Sequence, residues 1–309
     1  MSAQMPAAAS SPEGNIYDLG YRHYEGKRHG TWFAVWPLYV ESLRSVWGFG
    51  RPMTAKGWPF ILAGIYAFPA LLQLALSSVF SKALSEGRQL ELFTYAKYFG
   101  DTGLWILILL FCIAQAPELV CRDQRSHVLS LYFTRPLARA QYAVARVGAL
   151  STALFIVLVI PCLALFVGDV LMKADTIKAI GDELPRLLPS LPASALVALG
   201  MGSISLGLAA FSPRRAYSTI GLVAFFLIVE GVTAFIYEAG VRAGWSWADM
   251  TSLLAPITTL EGAYQWFFGG PLLDPFPSAM TSADYLAAAL ATIAIFWGLL
   301  LYRYRSISA

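Results

Sequence analysis

The sequence predicts an all-α integral membrane protein with six transmembrane helices, and three observations carry that reading. Only 13% of its residues are charged, where a water-facing domain carries about 25%. Apolar residues make up 57% of the chain and gather into six runs, each long enough to cross a hydrocarbon layer about 30 Å thick. Basic residues gather on alternate connections between those runs.

Residues 1–30 read as a cytoplasmic N-terminal tail, opening on Ala, Ser, Pro and Gly and containing no long apolar core. Residues 31–57 follow as an interfacial segment. Trp32, Trp36, Tyr39, Leu43, Val46 and Trp47 recur at spacings of three and four, while Glu41, Ser42, Arg44 and Ser45 fall to the other side. Such spacing makes an amphipathic helix whose aromatic residues suit the headgroup zone of a bilayer. The same face would also serve to pack the helix on its own protein.

Residues 58–309 hold the six-span domain. The runs cover 58–80 and about 103–120, 146–171, 192–211, 216–238 and 284–302. The fourth is rich in small residues (Gly200, Gly202, Ser203, Ser205, Gly207), which let helix backbones approach closely. The connection at 239–283 keeps Leu253, Leu254, Ile257, Leu260, Tyr264, Trp266, Phe267 and Phe268. A loop in water would not present so many apolar groups. A re-entrant or membrane-surface helix pair is expected there, punctuated by Pro256 and by Gly269, Gly270 and Pro271.

With the N-terminus in the cytoplasm, the inner segments hold 15 of the 22 basic residues, among them Arg122, Arg125, Arg139, Arg146, Arg214, Arg215, Arg303 and Arg305. The positive-inside rule then places both termini in the cytoplasm.

The sequence offers little catalytic chemistry. His23, His29 and His127 all fall outside the runs, and no HExxH, GxSxG or GxxxxGK[ST] motif occurs. No metal site and no phosphate-cradling loop is expected. Cys112, Cys121 and Cys162 lie in or beside apolar runs without a CxxC pair. Glu230 is the one acidic residue deep within a run. It reads either as a gate or substrate-facing group or as a hydrogen-bonded group that locks two helices.

The most informative stretch follows the second run. Residues 118–133 have the pattern of one amphipathic helix, with Glu118, Arg122, Asp123 and Arg125 polar and Val128, Leu129, Tyr132 and Phe133 apolar; Pro136 ends it. A short helix on the inner face is a lever that takes force from a soluble partner into the neighbouring spans. An ordinary solvated loop is the plainer alternative.

This arrangement resembles the permease subunits of ABC-2-type ABC exporters. Glu118, Arg122, Asp123, Leu129, Pro136 and Arg139 match the order of that family's loop between spans two and three, and 252–268 resembles its re-entrant element between spans five and six. The opening at 16–26 resembles the N-terminus of some bacterial members. Ser126 and His127 stand where family members often have Gly-Thr.

The resemblance implies a non-catalytic subunit in the bacterial inner membrane that moves a hydrophobic or amphipathic substrate outward. The implied partners are two ATPase subunits, which bind the ATP and Mg, and a second permease chain, identical or paralogous. No nucleic acid is expected. Residues 118–133 would form the coupling helix and Arg214 and Arg215 a second contact. An ATP-independent scaffold or ion pathway is the alternative class, and the missing catalytic clusters disfavour a membrane enzyme.

Overall fold

The aromatic spacing after Gly30 resolves into a 3-10 turn, Thr31–Ala34, leading into helix α1, Val35–Val46. The computed structural model describes residues 30–50, 53–80, 94–100, 102–126, 132, 137–173, 175–269, 272 and 279–306. Residues 1–29 of the expected tail at 1–30, with its 16–26 motif and two histidines, lie outside the described residues, as do His127, Pro136, Gly270 and Pro271.

After α1 come α2 (Met53–Phe80), α3 (Tyr95–Gly100), α4 (Thr102–Arg125), α5 (Arg139–Met172), α6 (Thr176–Leu187), α7 (Ser190–Ala209) and α8 (Arg215–Ala243). A 3-10 segment, Ala248–Leu254, then precedes α9 (Pro256–Phe268) and α10 (Ser282–Ser306). The described residues contain no strand. Six stretches, built on α2, α4, α5, α7, α8 and α10, are long and apolar enough to span a membrane, and the chain is a multi-pass membrane protein by that measure.

Helix α7 forms the centre. Val197, Met201, Ile204, Leu206 and Ala209 are all fully buried, and it packs on α5, α10, α9 and α4. Its small residues allow this. A Cβ at Gly202 would stand 2.6 Å from Ser151 Oγ of α5, and one at Gly207 would stand 3.0 Å from Phe296 Cδ1 of α10. Without side chains there, the backbones meet directly.

Helix α5 has 34 residues, so at 1.5 Å per residue it reaches about 50 Å and outruns the hydrocarbon layer. Its first turns therefore extend beyond the apolar run. Gln141 caps this end by accepting the Ala138 N–H at 2.9 Å.

Helix α1 packs on α5. Its expected apolar face divides. Val46 is buried and Tyr39, Leu43 and Trp47 pack against the core, whereas Trp32 and Trp36 stay about two-thirds exposed. Ser42, expected on the polar side, is buried. Its small hydroxyl accepts from Arg146 Nη1 at 2.9 Å, while the Tyr39 hydroxyl donates to Thr152 Oγ1 at 2.9 Å. One side of this helix docks on the bundle, and the other leaves Trp32 and Trp36 exposed.

The expected helix pair between the fifth and sixth runs is present as the 3-10 segment and α9. Pro256 opens α9 and Gly269, in the left-handed region at φ 66°, closes it. Thr259, Leu260, Ala263 and Tyr264 are fully buried against α7 and α10. Helix α6, a separate amphipathic helix before the fourth span, has no counterpart among the expected elements.

Candidate functional site

Pro117 lies inside α4 without ending it. Residues 118–125 are therefore the last two turns of the second spanning helix. They do not open a separate surface helix, and the expectation of one continuous helix over 118–133, distinct from the span, needs that correction. The reason is mechanical: a proline forfeits one backbone hydrogen bond, which a helix packed on several sides tolerates. Val128, Leu129 and Phe133 lie outside the described residues. Tyr132 is helical and its ring meets that of Tyr142 at 5.9 Å between centroids, so it packs inward.

At 100° per residue, Glu118, Arg122 and Arg125 share one face of α4, and Asp123 turns away from them. The shared face lines a groove of about 400 Å³ whose opposite wall is Pro213 and Arg215, from the connection between α7 and α8. Glu118 and Arg215 close the two walls together through an ion pair at 2.8 Å. The end of α4 is further pinned to that connection by Cys121, whose Sγ donates to Ser212 O at 3.1 Å, and by Gln124, which donates to Ala210 O at 2.8 Å. Arg303 of α10 reaches the same Ala210 carbonyl at 3.2 Å. The structure thus brings together two segments that the sequence singled out separately. Arg122 and Arg125 have no ion-pair partner among the described residues, so the groove offers two guanidinium groups to a partner.

Among the described residues, the other predicted ones do not share the groove. Asp123 points into the bundle, where it pairs with Arg146 of α5 and accepts from the Tyr142 hydroxyl at 2.7 Å. Arg146, counted by sequence among the basic residues of a connection, is buried at 6% exposure. It also binds Ser42 of α1, and the Tyr142 and Tyr304 rings pack edge to face beside it. Arg214 turns to the exposed face of Tyr217, its guanidinium 5.6 Å from the ring centre.

No protein-family model matches the chain, and no curated protein does.

Glu230 lies on α8, and both of its oxygens serve α9. Oε1 accepts the Ile257 N–H at 2.6 Å and Oε2 accepts the Thr258 hydroxyl at 3.0 Å. The first N–H groups of a helix have no partner within it, and this carboxylate supplies one from a neighbouring helix. These two bonds tie α8 to α9. Among the described residues, no group of His, Cys, Asp and Glu is placed to hold a metal ion, and the three cysteines are free and buried.

Sequence reasoning missed Arg146, Tyr142, Gln124, Cys121 and Arg303. A signal existed for one pair: Tyr142 and Arg146 stand four apart, on one face of a helix that turns apolar immediately afterwards.

Proposed function

We propose that this chain is the membrane subunit of an ABC exporter of the ABC-2 type. In this reading it sits in the bacterial inner membrane with both termini cytoplasmic. Two separate ATPase subunits bind ATP and Mg and dock at the basic end, and a second permease chain, identical or paralogous, completes the pathway for a hydrophobic or amphipathic substrate. One observation carries the reading. The end of the second span and the connection between the fourth and fifth spans, predicted from sequence to contact the ATPase, form the two walls of one groove joined by Glu118 and Arg215. A soluble subunit seated there presses on α4 and α8 at once, so its movement reaches two spans directly. Exposed arginines in such a groove are favoured anchors for a protein partner. Helix α8, the least buried of the six, offers an apolar side to a second permease chain.

The test is purification of the tagged chain from native membranes, identification of a co-purifying ATPase, and measurement of its ATP turnover in lipid. Arg125→Glu is expected to strip the ATPase from the complex or uncouple its turnover, while the permease itself melts as before. Unchanged association and turnover would remove the groove from the mechanism. Absence of any ATPase would favour the ATP-independent scaffold or ion pathway.

A further inference from the structure

A polar cavity stands at the opposite end of α7 from the groove, where α5 ends and α6 begins. Gln73 of α2, Thr94 and Tyr95 beside and on α3, Asp169 of α5, and Glu183 and Arg186 of α6 line a volume of about 140 Å³. Four separate helices contribute, so the fold assembles it; it is not a crease in one loop. Tyr95 is buried at 6% exposure, and its hydroxyl has no hydrogen-bond partner. A buried hydroxyl left so is destabilising unless something binds it. Because Tyr95 itself lines the cavity, a ligand that enters can supply the missing bond.

Charge sets the sign of that ligand. Among the described residues lining the cavity, two are carboxylates and one is a cation. The cation is already engaged: Arg186 Nη1 binds Glu183 Oε1 at 3.1 Å, and its side chain is 62% exposed. Lys173 Nζ binds the same Oε1 at 2.7 Å. Both cations are thus spent on one oxygen of Glu183. Burial first, then Asp169 and Glu183, push the Tyr95 hydroxyl above the ordinary tyrosine range, and the opposing pull of Arg186 is the smallest of these influences. The carboxylates therefore dominate the field at the buried hydroxyl, and that field favours positive charge.

Size and donor count narrow the cation. A cavity of about 150 Å³ admits a molecule the size of benzene, so this one has room for about six non-hydrogen atoms. That is far more than a bare metal ion fills, and no group of metal-holding side chains occurs among the described residues. A primary ammonium carries three N–H donors and no acceptor. The cavity answers with Asp169, the second oxygen of Glu183, the Gln73 amide oxygen and the Tyr95 hydroxyl, all able to accept. Leu165, at 2% exposure, supplies an apolar wall for a short alkyl stem.

We propose that this cavity binds a small primary alkylammonium ion, its N–H groups shared among the carboxylates and the Tyr95 hydroxyl and its stem resting on Leu165. A trimethylammonium group donates no hydrogen bonds and is rejected; an alcohol of the same length lacks the charge. The site does not depend on the exporter reading. Only its placement at the outer face follows from the proposed orientation.

The test is calorimetric titration of the full chain in lipid nanodiscs with n-butylammonium, n-butanol, n-butyltrimethylammonium and potassium, at matched ionic strength. Butylammonium should bind about tenfold tighter than each of the others, the size of one charge-assisted hydrogen bond. Tyr95→Phe, which removes only the unpartnered hydroxyl, should weaken it about tenfold with the melting temperature kept, and Asp169→Asn should weaken it as well. Arg186→Gln removes the one cation lining the cavity and should tighten it severalfold, a gain that mere loosening of the fold does not produce. Butanol or butyltrimethylammonium binding as tightly as butylammonium would overturn the proposal. So would potassium matching it, which would make this an inorganic cation site. Unaltered affinity in Tyr95→Phe, or weaker binding in Arg186→Gln, would overturn it too.

Discussion

Two ion pairs on the same two turns of α4 live in different surroundings. Both carboxylates are 15% exposed, but Glu118 meets an arginine, Arg215, that is 64% exposed in an open groove, whereas Asp123 meets Arg146, 7% exposed, inside the bundle. Sequence treats the four residues alike, as charges near one end of a span. The structure gives them opposite work. Water screens the first pair, so it adds little stability and can exchange partners. The second pair is cut off from water and joined to Tyr142 and Ser42, so losing either member leaves a charge that nothing else neutralises. A permease of the kind proposed needs both types. A fixed knot holds α1, α4 and α5 in register; in the proposed reading, the loose clasp beside it yields to a docked subunit.

The sharpest way to break that comparison is to remove one partner from each pair. Arg146→Ala is expected to destabilise by about 3–5 kcal/mol, the range for orphaning a buried partner. The loss should appear as a lower melting temperature in detergent and as poor recovery of folded protein. Arg215→Ala should melt within error of the parent. If the two variants melted alike, burial would not be what separates the pairs.

A middle-sized effect is expected where a carboxylate reaches from one helix to start another. Glu230→Ala leaves the first turn of α9 without its partner from α8, at a cost of about 1–2 kcal/mol, the upper range for losing an N-cap. Glu230→Gln keeps an oxygen for Ile257 but presents an amide N–H₂ toward Thr258, whose hydroxyl can turn to donate elsewhere, so its loss should be smaller. Hydrogen exchange should localise the change to 256–268 in both variants. Altered transport with unchanged exchange and melting would support the gating reading of Glu230 over the locking one.

Much of this was legible from residue types and spacing. The six spans follow from run length, because a bilayer sets that length whatever the neighbours are. The central place of α7 was hinted at by Gly202 and Gly207, since small residues matter only where another backbone is close. The α9 pair was legible from apolar residues in a connection. What sequence lacked was direction. Glu118 and Asp123 are separated on the helix by well over a right angle, but which side faces the core depends on α5, and nothing near residue 123 names Arg146. Arg146 itself looked like a connection residue because α5 begins before its apolar run does.

The smallest effect tests the clasp itself. A double-mutant cycle on Glu118→Ala and Arg215→Ala, read by melting in the isolated permease, should give a coupling of about 0.2–1 kcal/mol, as for exposed pairs. Raising the salt well above the physiological range should shrink it further, because the Debye length falls from about 8 Å toward 3 Å. The same cycle read by association of an ATPase subunit should behave differently. If the partner inserts its own charges into the groove, it competes with the internal pair. Glu118→Ala then frees Arg215, adds a third guanidinium to Arg122 and Arg125, and tightens an acidic partner, whereas Arg215→Ala loosens it. Opposite signs from two partners of one ion pair cannot arise from stability, which both substitutions lower or leave alike. Equal signs in the association measurement would mean that Glu118 and Arg215 only hold the groove walls together, and that Arg122 and Arg125 make the contact without them.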